Sequence, residues 1–252
     1  MKLREKAYQS FTRHLLAMDI RPGQFITQRE MVALTGLTLG AIREMIPRLE
    51  ALGLIVTVPQ RGMQIAHVDL KLVRNAFQFR GILEREAVAA FTRRASADDV
   101  AALAEELAQI RRKAERGVTR AVLEEAQAVD WGFHDALIDA MGNEIISDVY
   151  RVNSIKIRLI RLERVVLSPE TLFPAMDEHA RIMAAIERRD VAGAIEAMDR
   201  HVASAQARAM GIGVAAVAPS EMPPEIPPGA QADAAPADTG EPPQRAARRR
   251  PS

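Results

Sequence analysis

The sequence predicts a mainly α protein: a small N-terminal unit of three helices and a hairpin, an all-α bundle of about six helices, and a tail. Three observations carry this. Apolar residues recur at helical spacing through most of the first 53 residues and nearly all of residues 69–212. Strand-like alternation is confined to one stretch, "LIVTVPQRGMQIAHV". From Gly213 onward the character changes: nine of the chain's 14 prolines fall there, with no aromatic residue and few large aliphatics. That segment cannot bury enough surface to offset the entropy of ordering, so it is expected to be disordered. The expected domains are therefore 1–68, 69–212 and the tail 213–252.

A chain of 252 residues with 48% hydrophobic and 27% charged residues has room for one large or two modest cores. No apolar run approaches the roughly 20 residues that cross a bilayer, and the N-terminus lacks a signal-peptide core. With no cysteine there is no disulfide framework and no thiolate chemistry, and the expected location is the cytoplasm. Any metal would have to be held by His, Asp or Glu. The net charge of +1 conceals an asymmetry: residues 1–68 hold nine Lys or Arg against five Asp or Glu, and residues 69–212 hold 21 against 23. A basic front end on a mildly acidic body hints at a polyanion partner for the front end. Arg245 and Arg248 to Arg250, in the tail, could also touch nucleic acid or simply be solvated.

In the N-terminal unit, "KLREKAYQSFTRHLLAMDI" places Leu3, Ala7, Phe11, Leu15 and Met18 at helical spacing, and the Pro-Gly of "RPGQFI" stops it. "TQREMVALTG" opens with Thr27 and Glu30, a capping box, and stops at Gly36. After a two-residue turn, "LGAIREMIPRLEALG" is a third helix ending at Gly53. The alternation around "PQRG" then predicts a two-stranded hairpin. Two short helices joined by a tight turn and followed by a hairpin have the form of a winged helix-turn-helix, which sets its second helix in the DNA major groove. Arg43 and Arg48 lie on that helix, Arg29 starts the preceding one, and Arg61 sits at the wing turn. Arginine can fork onto guanine or pair with phosphate, although each of these could equally be an ordinary solvated side chain.

The bundle helices are expected at about 69–94, 97–116, 119–142, 144–166, 169–188 and 190–210, from periodicity and stop signals. Ser96 with Asp99, Ser168 and Asp190 are expected N-caps, and Gly117 and Gly142 expected stops. His14 and His67 in the front unit have no obvious partners. The other three histidines each fall in a different bundle helix and on its apolar face: His134, His179 and His201. Asp130 stands one turn before His134, so the two side chains point the same way. An ionised carboxylate is not buried without a partner. Asp130, His134, His179 and His201 together make a three-nitrogen, one-oxygen set suited to Zn²⁺, Ni²⁺, Mn²⁺ or Fe²⁺, or else a metal-free polar cluster.

Two stretches carry a resemblance. "RPGQFITQREMVALTGLTLGAIREMIPRLEALGLIVTVPQRGMQI" resembles the winged helix-turn-helix of GntR-family transcription regulators, matching at Pro22, Gly23, Glu30, Thr38, Arg43, Glu44, Arg48, Leu49, Glu50, Gly53, Leu54, Pro59, Arg61 and Gly62. The resemblance implies DNA contacts at Arg29, Thr38, Arg43 and the wing Gly62. Leu39 and Gly40 depart from the pattern, and Leu39 is expected to pack on a thymine methyl instead. Pro47 also departs; it removes the amide bond to the Arg43 carbonyl, so a kinked or shortened recognition helix is expected. "VDWGFHDALIDAMGN" and "DEHARIMAAIERRDVAGAIEAMDRHV" resemble the FCD ligand-binding bundle of the family's FadR-like branch. Its metal-binding Asp and three His correspond to Asp130, His134, His179 and His201, and six helices rather than seven would place the chain near the VanR-like group.

The resemblance further implies a homodimer on an inverted-repeat, double-stranded DNA operator, modulated by a small carboxylate effector. Arg80 matches the arginine that helps hold that carboxylate, with a surface pair to Glu84 as its plainer role. Arg158 and Arg161 are weaker candidates of the same kind. A metal-dependent hydrolase built on a helical bundle is the alternative from another class: such a site could activate water. No HExxH-type helix is present, and that alternative leaves the N-terminal unit without a role.

Overall fold

The computed structural model describes residues 3–164 and 169–211. The expected tail with its terminal arginines, and the expected N-cap Ser168, lie outside the described residues. In the head, α1 (Leu3–Leu16), α2 (Gln28–Thr35) and α3 (Leu39–Ala51) surround a core of Ala7, Phe11, Leu15, Met31, Ile42, Met45 and Leu49. Each large aliphatic or aromatic side chain so buried contributes about 1.5–3 kcal/mol. Thr27 and Glu30 form the expected capping box, and Gly36 closes α2 in the left-handed conformation.

The expected two-stranded hairpin proves to be part of a three-stranded sheet. β1 (Phe25–Ile26), β2 (Ile55–Val58) and β3 (Gly62–Ile65) stand in the order β1-β3-β2, all antiparallel. β1 comes from the stretch read as a turn: Gly23 N–H donates to the Ile65 carbonyl at 3.1 Å, and Ile65 N–H to that of Gln24 at 2.9 Å. Gly62 has φ of +94°, and a Cβ there would stand 2.9 Å from the Ile26 carbonyl oxygen. Only glycine lets the wing close onto β1.

Helix α3 is neither shortened nor broken at Pro47; it continues to Ala51. Pro47 is exposed, whereas Ile42, Met45 and Leu49 on the opposite side are buried. Packing therefore holds the helix together, and the carbonyl that loses its amide partner lies on the solvent side, where water can take its place.

The bundle has six helices among the described residues: α4 (Leu70–Arg94), α5 (Ala97–Arg116), α6 (Arg120–Asp139), α7 (Glu144–Arg164), α8 (Pro169–Glu187) and α9 (Val191–Ala209). Their starts fall within one residue of the expected ones. Asp69, Thr119 and Asp190 cap α4, α6 and α9, and Ser96 with Asp99 makes a second capping box at α5. α6 ends three residues before Gly142, which carries the turn to α7 at φ of +66°. α9 packs between α4 and α8, while α6 packs on α4, α5 and α7. α1 of the head also packs on α7. No helix among the described residues is long and apolar enough to cross a membrane.

Candidate functional site

Asp130 and His134 on α6, His179 on α8 and His201 on α9 are all buried, and one ligand atom from each lies within 4.8 Å of every other. His134 Nε2 stands 3.3 Å from His179 Nε2 and 3.2 Å from His201 Nε2, and Asp130 Oδ1 stands 3.5 Å from His179 Nε2. With metal–ligand bonds of about 2.1 Å, ligand atoms around one ion are separated by roughly 3.0 Å in octahedral and 3.4 Å in tetrahedral coordination. The three separations of 3.2 to 3.5 Å lie close to that range, while the set as a whole extends to 4.8 Å.

The opposite nitrogens of two of these imidazoles face carboxylates. His201 Nδ1 is 2.8 Å from Glu178 Oε2, and Glu178 is gripped by both terminal nitrogens of Arg208 at 2.9 and 3.0 Å. His134 Nδ1 lies 3.0 Å from Glu84 Oε2, at ion-pair distance though without hydrogen-bond alignment. A carboxylate on Nδ1 places the proton there and leaves the Nε2 lone pair free, which is how metal-bound histidines are oriented. Asp130 shares itself: its second oxygen accepts from Arg161 on α7.

Electrostatics agree. Burial, aided by the nearby Arg80 charge, lowers His134 to about 4, and burial with the neighbouring His201 charge lowers His179 to about 3. Burial also lowers His201 to about 4 against the opposing pull of Glu178. All three imidazoles are thus neutral at neutral pH, the state that binds metal. Burial would push Asp130 up, but Arg161 and the three imidazoles outweigh it and hold the carboxyl far below its usual range. Glu84 is held low in the same way, burial being outweighed by Arg80 and His134.

Arg80 stands inside this cluster rather than on the surface. It is 3% exposed, donates from Nε to Glu84 at 2.7 Å, and brings Nη2 to 2.6 Å from His134 Nε2 and 3.4 Å from His201 Nε2. Its plainer sequence-based role, a surface pair with Glu84, is corrected: the pair is buried, and Tyr150 caps the same Glu84 oxygen. Arg80 donates to the very lone pairs a metal would take. Arg158 is elsewhere, paired with Asp135 at 3.2 Å and lying over the Trp131 ring. Glu84, Tyr150, Glu178 and Arg208 were not among the sequence candidates. Glu84 was visible only as the i,i+4 partner of Arg80; the contacts that bring these four to the cluster span 23 to 66 residues, and no local spacing marks them.

On the head, Thr38 caps α3 through Ala41 N–H at 3.3 Å, and Leu39 follows it, 38% exposed. Arg29 and Arg43 are exposed, and Arg43 Nε donates to Gln28 at 3.1 Å. Gln28, Arg43 and Gly62 line one crevice between the start of α2, α3 and the wing. Arg61, at the wing tip, lies over the Phe25 ring. Arg48 departs from this group. Its guanidinium pairs with Glu5 and covers the Tyr8 ring of α1, in a cleft shared with Asp135, Arg151 and Arg158 of the bundle. His14 and His67 find partners in Asp19, at 2.8 Å, and Gln64, at 2.9 Å.

The profile of the FCD domain matches residues 75–204, just over half of the chain. The HTH-type transcriptional repressor GlaR of Escherichia coli (strain K12) is 25% identical over 201 residues, covering 77% of this chain and 90% of that protein. The repressor RspR of the same strain is 24% identical over 202 residues, covering 79% and 85%. Among solved structures, E. coli McbR/YncC superposes with a TM-score of 0.69 at 18% identity, over 84% of this chain and 98% of that one. A chain described as a transcriptional regulator GntR, from Rhodococcus sp. RHA1, gives 0.65 at 17% identity, over 82% and 98%. At such identities the superpositions speak for the fold alone.

Proposed function

Because the chain belongs to the FCD-domain, FadR-like branch of the GntR family of transcription regulators, we propose that residues 1–68 bind operator DNA and that a small carboxylate metabolite at a metal in residues 69–212 modulates that binding. The hydrolase alternative is set aside: the relatives are named transcriptional repressors, and the basic head has a role only in a regulator.

The observation that carries the sensor half is the convergence of three buried imidazoles and one carboxylate, one ligand atom of each within 4.8 Å of the others. Buried acceptors need a donor or a cation; Arg80 serves His134 and His201 here, and a metal ion could serve all four residues at once. Asp130, His134, His179 and His201 would hold a divalent transition ion, which supplies a Lewis-acidic centre with positions left for a carboxylate. Glu178 fixes His201, Glu84 lies beside His134, and Arg161 fixes Asp130. Arg80 offers a buried guanidinium beside the same atoms, and its planar fork suits a carboxylate.

On the DNA side, Arg29, Thr38, Leu39, Arg43, Arg61 and Gly62 form the proposed contact set. Arg43 serves as the base-reading or phosphate-pairing side chain, and Gly62 acts by keeping the wing close to β1. Two copies, dimerised through the bundles, would present two heads to an inverted repeat. By linkage, the effector weakens operator binding only as far as it binds the DNA-free state more tightly.

Two measurements test this. Metal analysis of protein purified without nickel columns should find close to one ion per wild-type chain and almost none in His179→Ala; equal content in both would remove the metal site. Mobility shifts on DNA flanking its own gene should show retardation at low salt that candidate acids relieve or strengthen. No retardation on any such fragment would overturn the DNA half.

A further inference from the structure

We infer that the effector is a carboxylic acid with an unhydroxylated hydrocarbon body, an aliphatic acid rather than a sugar acid, whose chain lies among α5, α6 and α8. The carboxylate-sensing role proposed above is its premise. The cavity that opens onto the metal-type cluster has Asp130, Arg161, His179 and His201 as its polar floor. Its walls are Leu107 and Ile110 of α5, Leu123 and Ala126 of α6, and Leu172 and Met176 of α8. Gln127, Thr171 and Arg208 are the other polar side chains that line it. Arg208 is spent on Glu178, which leaves Gln127 and Thr171 above the floor, too few for a row of ligand hydroxyls.

The packing above the floor fits such an occupant. Ile110, Ala114, Ala126 and Leu172 form a small apolar cluster of their own, separate from the main core, with Leu123 and Met176 packed on it. The free space beneath is ≈ 40 Å³, enough for a few waters but not for an acid of several carbons. A hydrocarbon chain would enter by parting this satellite cluster, and it would replace one apolar contact with another. A polyhydroxylated chain entering the same way would strip water from hydroxyls that find no partner, at about tenfold in affinity for each one left unpaired.

The test uses full-length protein loaded with Zn²⁺ and titrated calorimetrically with acetate, butyrate, hexanoate and gluconate. Affinity should rise by about fourfold per methylene from acetate to hexanoate. Gluconate, with the same six carbons as hexanoate, should bind at least tenfold more weakly. Gluconate binding as tightly as hexanoate, or no gain along the series, overturns the inference while leaving carboxylate sensing in place. No heat with any acid removes carboxylate sensing and the inference together. Two wall variants sharpen the result. Ala126→Leu fills the cavity and should lose hexanoate by more than tenfold while keeping acetate. Leu123→Ala enlarges it and should shift the preference from hexanoate to octanoate, a readout that stands even where the larger side chain of the first variant disturbs folding. An unchanged chain-length preference in the folded variants also overturns it.

Discussion

Asp130 divides its carboxylate between two tasks: one oxygen accepts from Arg161, and the other faces His179 Nε2 at 3.5 Å. Arg161 is thereby a positioning residue for a proposed metal ligand. Arg161→Met should weaken Zn²⁺ binding about 10- to 100-fold, the usual cost of losing an outer-sphere partner of a metal ligand. Competition with a chromophoric chelator measures it, and unchanged affinity would show that Asp130 needs no such support.

The Arg80–Glu84 pair makes a sharper prediction about stability. Both side chains are buried, and Glu84 also takes the Tyr150 hydroxyl and lies beside His134. Glu84→Gln leaves the Arg80 charge buried without its counter-ion, which costs about 3–5 kcal/mol. Urea denaturation of the metal-free protein should show a loss of that size. A loss below about 1 kcal/mol would mean that water reaches Arg80 and screens it.

Local signals accounted for most of the fold. Thr27 and Gly36 bounded α2 of the head, and caps at Ser96 and Asp190, the glycine at Gly117 and 3.6-residue periodicity located the bundle helices to within about three residues. β1 escaped because two residues after a Pro-Gly turn carry no period; its pairing is decided by Gly62, 36 residues away from Ile26. Pro47 does not shorten α3, because the burial of Ile42, Met45 and Leu49 outweighs its helix-breaking cost. At the site, the four ligand-type residues stood out as polar groups on apolar faces. Glu84 and Glu178 did not, since a glutamate on a helix reads as solvated until another helix is seen to pack over it. The pairing of Arg48 was hidden for the same reason: its partner Glu5 lies 43 residues earlier, on α1.

The metal-free protein should lose stability on acidification. His134, His179 and His201, at about 3 to 4 when folded and 6.5 when unfolded, bind more protons in the unfolded chain throughout that interval. Stability therefore rises with pH there and falls as pH drops from about 6.5 toward 4. Glu178 adds to the loss at lower pH: burial is outweighed by its bonds to His201 and Arg208, which hold it at about 2, so its contribution fades between 4.5 and 2. Thermal melts after chelator treatment should give a level Tm above pH 7 and a steady decline below 6.5. A Tm that held constant to pH 5 would show that these imidazoles are already solvated.

Arg43 and Arg48 sit five residues apart on one helix, yet they should differ in almost every DNA-binding measurement. Arg43 is exposed beside Gln28 and the wing, whereas Arg48 turns toward Glu5, Tyr8 and the bundle. Arg43→Met removes a side chain able to fork onto guanine or pair with phosphate. It should cost about 1–3 kcal/mol on the operator, with either a relaxed preference at one base pair or a salt slope smaller by about one. Arg48→Met should change operator affinity by less than about twofold and leave the salt slope alone, because an exposed pair of this kind is worth only about 0–1 kcal/mol to the head. Fluorescence anisotropy on one labelled operator across a salt series resolves both effects. If Arg48→Met lowered affinity and slope as much as Arg43→Met, the cleft with α7 would open on DNA, and the contact set proposed for the head would have to be redrawn around it.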